Sequence, residues 1–198
     1  MPNQQVPYSR KNAGFTLTEL MVVVLIGLIL TTLALPNMLT VIATARLRGN
    51  ISSLSGIFQN TRMIAVKNNR TMTARFTTSA STGIIAYAKL ATDTSGPIRT
   101  DPQVQLEAPI VGYTTPTGTS APDAITSTVL GFTPETGDAS FNARGLPCAY
   151  SGGTCANKGF IYYFRDTRRT GSSGWAAVSI SPAGRVKRWY WTGSTWSD

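Results

Sequence analysis

The stretch Phe15–Leu35, FTLTELMVVVLIGLILTTLAL, constrains this chain more than any other: it is 21 residues long and Glu19 is its only charge. As a helix it spans about 31 Å, close to the hydrocarbon thickness of a bilayer. A carboxylate inside such a segment costs on the order of 3 kcal/mol unless it finds a cation, so Glu19 calls for a partner. Arg10 and Lys11 precede the segment. By the positive-inside rule they keep Met1–Gly14 cytoplasmic and send the rest across, with Arg46 and Arg48 pulling weakly the other way. Pro36, at the far end, has no N–H and clashes with the carbonyl four residues back, so it is expected to kink or locally melt the helix.

Composition narrows the chemistry. The chain has 198 residues, 42% of them hydrophobic, which leaves room for one domain beyond the apolar segment. It contains no histidine. That removes the commonest general base and metal ligand and excludes Ser-His-Asp and Cys-His nucleophile arrangements. No GK[ST] phosphate loop and no CxxC pair occurs. The expectation is a protein that is not an enzyme, with no cofactor, no metal and no small-molecule substrate.

The net charge of +9 is unevenly spread. Six basic residues and no acid lie between Arg46 and Arg75, an acidic excess follows to Asn157, and seven basic residues face two acids from Lys158 to Asp198. A cationic face, if the charge is more than solvated surface, comes from the two basic regions.

Three readings of the amino terminus compete. A secretory signal peptide finds an A-x-A site at Ala43-Thr44-Ala45, but the apolar run is long for one, and the site lies well beyond Pro36. A plain membrane anchor leaves Glu19 unexplained. In the third reading, GFTLTE at 14–19 resembles the class III signal of type IV pilins and type II secretion pseudopilins. The resemblance implies cleavage by a prepilin peptidase after Gly14, N-methylation of Phe15, and a mature chain whose Glu19 pairs with a neighbouring subunit's amino terminus. It divides the chain into a leader (1–14), a transmembrane and assembly helix (15–36), and a helix continuation with a globular periplasmic head (37–198). The protein is then held in the inner membrane by a single pass before entering a pilus or pseudopilus, with other pilins or pseudopilins as partners.

Past Pro36 there is no proline as far as Asn68, and Leu39, Ile42, Leu47, Ile51, Leu54, Phe58 and Ala65 recur near one helical stripe. The combined helix reaches about 75–80 Å. Gly49 and Gly56 each weaken it by about 1 kcal/mol relative to alanine. TMTARF (71–76) and GIIAYAKL (83–90) read as a hairpin, and the Pro/Thr/Gly/Ser-rich stretch from Thr92 to Asp123 as a surface excursion. ITSTVLGF (125–132), GFIYYFRD (159–166) and two strands within 174–191 follow, the last pair joined by a turn at Pro182-Ala183-Gly184. The alternation in AAVSIS predicts a half-buried strand. Together these give an α+β class, a long amino-terminal helix packed on an antiparallel sheet head. This is the type IV pilin-like fold that the signal implies.

Finer resemblance is to the GspH/FimT/FimU family. It rests on LSGIFQNTRMIAVKNNRTMTARF, on FNARG at 141–145 and on VSISPAGRVKR at 178–188, and it implies a minor pilin or a type II secretion pseudopilin. Some FimT-like pilins carry a GRxR motif in this hairpin that binds DNA, and here Gly184 is followed by Arg185, Lys187 and Arg188. DNA is therefore carried as an alternative partner. Lysine at 187 keeps phosphate neutralisation but loses the bidentate fork of arginine. Trp189, Trp191 and Trp196 follow closely and read either as stacking platforms for bases or as core. Cys148 and Cys155 bracket a short flexible loop and, in an oxidising compartment, are expected to pair; free thiols are the alternative.

Overall fold

The protein's structure, a computed structural model, describes residues 14–79, 83–106, 110–113, 115–118, 121–169 and 174–198, with side chains described except at 33–37, 79 and 113. The leader up to residue 13, with Arg10 and Lys11, lies outside the described residues. Helix α1 runs Leu17–Asn68. The strands are β1 Met72–Ser79, β2 Gly83–Leu90, β3 Gln103–Leu106, β4 Ile110–Tyr113, β5 Pro134–Glu135, β6 Ala139–Phe141, β7 Pro147–Ser151, β8 Thr154–Asn157, β9 Gly159–Asp166, β10 Trp175–Ile180, β11 Val186–Trp191 and β12 Trp196–Ser197, with a one-turn helix α2 at Ser127–Leu130. Two compact units result, divided between Val41 and Ile42.

In the first unit the large apolar side chains are exposed, from Phe15 at 81%, just ahead of α1, to Leu30 at 61%. Thr31 and Thr32 each donate their hydroxyl to a carbonyl three residues back, at 2.9 and 2.8 Å, so neither leaves an unmet donor in the apolar run. The helix assignment passes through Pro36, whose side chain lies outside the described residues.

The second unit is an α+β head. One sheet has the order β3-β2-β1-β6-β7-β8, the other β12-β11-β10-β9-β4, and all pairings are antiparallel except the short β5 on β9. The carboxy-terminal part of α1 buries Leu47, Ile51, Leu54, Phe58 and Ala65 against both sheets. Of the expected stripe, Leu39 (67%) and Ile42 (40%) stay exposed. Phe58 is the hub where the sheets meet, stacking on Tyr162 at 5.4 Å and meeting Phe76 edge-on at 6.0 Å. The helix closes on Asn69, left-handed at φ 49°. Arg70 N–H bonds to Ala65 C=O and Asn69 N–H to Val66 C=O, at 3.1 and 3.3 Å, the Schellman pattern.

Gly49 and Gly56 do not interrupt the helix, and a Cβ at either would meet nothing within 4 Å. Gly56→Ala is therefore expected to stabilise the head by about 1 kcal/mol, read as a rise of a few degrees in melting temperature.

Four expectations need correction. The excursion from Thr92 to Asp123 holds β3 and β4, which extend the two sheets at their edges. The expected strand at 125–132 is instead the turn α2, stopped by Gly131 at φ 77°. Its apolar residues serve as anchors: Ile125 and Leu130 pack on the second cluster around Trp175 and Trp189, and Ile125 N–H bonds to Tyr163 Oη at 2.9 Å. Strand β10 is buried along its whole length, since α1 covers Ala176, Val178 and Ile180 while the 121–130 segment and tryptophans cover the other face. The hairpin β1–β2 is also longer than expected, pairing Met72–Ser79 with Gly83–Leu90.

Lys89, 6% exposed, organises the β2–β3 connection. Its ammonium bonds Gly96 C=O at 2.9 Å and Ser95 Oγ, and pairs with Asp93 at 3.2 Å and Asp101 at 3.8 Å. Hydrogen bonds from Ser95, with help from Lys89, pull the Asp93 carboxyl down from 3.8 to about 2. A depressed carboxyl stabilises above its unfolded value and loses that contribution as pH falls through the folded one. The urea midpoint of the wild type should exceed that of Asp93→Asn at pH about 5 and converge on it towards pH about 2.

Candidate functional site

At the amino terminus, the geometry begins with Thr16. Its hydroxyl accepts the N–H of Glu19 at 3.2 Å and its carbonyl accepts the N–H of Leu20 at 3.2 Å, so Thr16 caps α1 and Glu19 falls in the first turn. The positive end of the helix dipole favours a carboxylate there. Among the described residues no cation pairs with Glu19. Phe15 is exposed beside it, and Gly14 has open space around it. The carboxylate thus stands at the head of an apolar helix, supported by one dipole and, among the described residues, without a counter-ion.

The second candidate lies on the head. Arg48, Ser52, Arg185, Lys187, Arg188 and Asp198 share an open groove of about 730 Å³ between α1 and the edge of β11. Sequence spacing alone cannot tell that the basic run splits. Along a strand, successive side chains alternate faces. Val186 and Tyr190 pack towards the helix, and Arg188 on that side reaches Ser52 Oγ at 3.3 Å. Lys187 lies on the other face, 4.1 Å above the Trp189 ring and 2.6 Å from Asp198 Oδ2. The hydrogen bond from Lys187 holds the Asp198 carboxyl below the usual range. Arg48, absent from the sequence-based candidates, joins the groove from α1 and sits over Tyr190 at 5.5 Å. Its place could have been found from the i, i+4 spacing of Arg48 and Ser52 facing the strand.

The tryptophans do not form a stacking platform. Trp189 is buried and donates Nε1–H to Ser179 Oγ at 2.8 Å. Trp196 donates to Asp123 C=O at 2.8 Å and packs edge-on against Trp191 at 5.5 Å. They belong to the second core cluster.

Gly184, the first residue of that basic motif, has an architectural task. Ser181-Pro-Ala-Gly184 and Asn142-Ala-Arg-Gly145 are two turns of the same build, each closed by a glycine N–H bonding back three residues, at 2.7 and 2.8 Å. The glycines are left-handed, at φ 83° and 76°. Arg62 of α1 lies against both, and its guanidinium bonds Gly184 C=O at 3.2 Å. Three patches that are far apart in sequence thus close on one side chain. A Cβ at Gly184 would meet Arg62 Nη1 at 3.2 Å in a backbone region costly for alanine. Gly184→Ala is expected to cost about 1–3 kcal/mol in a denaturant melt.

Cys148 and Cys155 form a disulfide across the β7–β8 hairpin, with Cα atoms 5.2 Å apart. Among the described residues no cluster of metal-ligating side chains occurs.

These features define a class: a capped apolar helix carrying one carboxylate, followed by a disulfide-closed α+β head with the pilin-like arrangement of helix on antiparallel sheet. The family model of the prokaryotic N-terminal methylation motif matches residues 9–35. That motif is a type IV prepilin-like signal; it indicates a type IV pilin-like or pseudopilin protein and implies association with other pilins and a prepilin peptidase. No curated protein and no solved structure matches the chain. Among the described residues, no helix is long and apolar enough to cross a membrane, the description of side chains in the apolar run ending at Thr32.

Proposed function

We propose that the chain is a minor pilin of the GspH/FimT/FimU kind, anchored in the inner membrane through 15–36 and incorporated into a type IV pilus, where it contributes to assembly or its initiation. The observation that carries the reading is the methylation motif at 9–35 running into a helix whose apolar side chains stand exposed around Glu19, which meets no cation among the described residues. Prepilin peptidase cuts after Gly14, Phe15 becomes the methylated terminus, and Pro36 loosens the stem. The head is periplasmic and its work is noncovalent, not enzymatic. Deleting the gene should abolish or reduce twitching while leaving exoprotein secretion intact; the reverse pattern would identify a type II secretion pseudopilin.

The cationic groove favours a second reading, a pilus-displayed DNA-binding subunit. Four cations line it, and only Asp198 opposes them. Gel-shift titrations of the full chain at several salt concentrations test this. With Lys187 already held by Asp198, Arg185→Ala and Arg188→Ala should each weaken binding and flatten its salt dependence by about one phosphate contact, with Lys187→Ala doing less. No shift at low salt ends this reading.

A further inference from the structure

At the seam between the two sheets the backbone of β1 runs out of partners. It pairs with β2 along its whole length, but with β6 only from Met72 to Ala74. The bond from Ala91 N–H to Thr71 C=O sets the alternation of that ladder. Thr73, Arg75 and Thr77 therefore bond to β2, and the N–H and C=O of Phe76 and Thr78 point to the opposite edge. Among the described residues no strand meets them there. Beside this edge lies a cavity of about 250 Å³. The rings of Phe76, Tyr162 and Phe164 line it, with Phe76 5.0 Å from Tyr162 and 6.3 Å from Phe164, and Gly112 and Ile161 contribute to its walls. Across the seam, β9 pairs with β4 from Tyr163 onward and with β5 at Gly159 and Phe160, leaving Ile161 and Tyr162 between the two. Among the described residues Asp138 is the one charged residue lining the cavity, and it is ion-paired with Arg75 at 3.3 Å.

We propose that this slot receives an extended segment of a partner polypeptide, which adds as a strand along Phe76 and Thr78 and places one large apolar side chain in the aromatic-lined cavity. An unpaired run of backbone donors and acceptors is a template for a strand, and strand addition draws affinity from main-chain bonds and specificity from alternate side-chain pockets. A compact apolar molecule would fill the cavity but leave the edge unmet. A helix has no free backbone groups to offer it.

The test uses the full-length chain in detergent micelles. The probe is a fluorescent eight-residue peptide alternating valine and lysine, with one central phenylalanine. Saturable binding is expected, with amide exchange at Phe76 and Thr78 slowed about tenfold or more, as for amides drawn into a ladder. Thr78→Pro removes a donor facing the slot while leaving the β2 bonds in place, and Gly112→Leu fills the cavity; each should weaken binding about tenfold. Circular dichroism and melting check each fold, and the exchange readout on the wild type carries the test should a variant unfold. The proposal is overturned by the absence of saturable binding, by equal binding to Thr78→Pro and Gly112→Leu, or by a peptide that binds while the Phe76 and Thr78 amides stay unprotected. An aromatic dye that enters the cavity while the peptide does not would equally overturn it.

Discussion

A Glu19→Ala chain is expected to be cut and methylated like the wild type and then to fail at assembly. Processing reads the residues around Gly14, and Thr16 still caps the helix, so the substrate keeps its local form. In the proposed assembly, what disappears is the counter-charge for a neighbour's new amino terminus. In an apolar surrounding an unmet carboxylate costs on the order of 3 kcal/mol, and pairing recovers much of it. The fibre-associated fraction should then drop by more than about tenfold, as 1.4 kcal/mol or more is lost. Glu19→Gln, which keeps size without charge, should behave like alanine. Immunoblots of sheared fibres against membranes measure the ratio, and a wild-type ratio in both variants would remove Glu19 from the account.

Phe58→Ala is expected to have the largest effect on the head, about 3–5 kcal/mol of destabilisation. The ring is fully buried, touches side chains from both sheets, and is the point at which the helix holds them together. A melting temperature lower by about 10 °C follows for a domain of this size. Met63→Ala, on the same helix but 64% exposed, should change stability by less than about 0.5 kcal/mol. Similar losses in both would mean that the helix is not docked on the sheets through Phe58.

How much of this could be read from the residues depends on the distance over which the signal acts. The apolar segment, its carboxylate and the helical stripe from Leu47 to Ala65 are local periodicities, and the hairpin β10–β11 carries its own turn residues at Pro182-Ala183-Gly184. Strands β3 and β4 were hidden because each is four residues long and held by a neighbour's edge, not by its own pattern. Residues 125–132 look like a strand because Ile125 and Leu130 are apolar anchors for a turn, and apolar content alone does not fix period. The site was legible to the same degree. The order Arg185, Lys187, Arg188 is visible, but the pleat that parts Lys187 from Arg188 and the arrival of Arg48 from the helix are tertiary. The Arg62 clasp joins residues more than a hundred positions apart, beyond any local pattern.

The central claim is that the apolar helix is kept in the mature protein and that its terminus is made by a prepilin-type cut. Mass spectrometry of the amino-terminal peptide from the membrane fraction tests it most directly. The expected chain begins at N-methylated Phe15, with Glu19 as its fifth residue. A chain beginning after Ala45, as a signal peptidase would leave it, or one retaining Met1–Gly14, would contradict it.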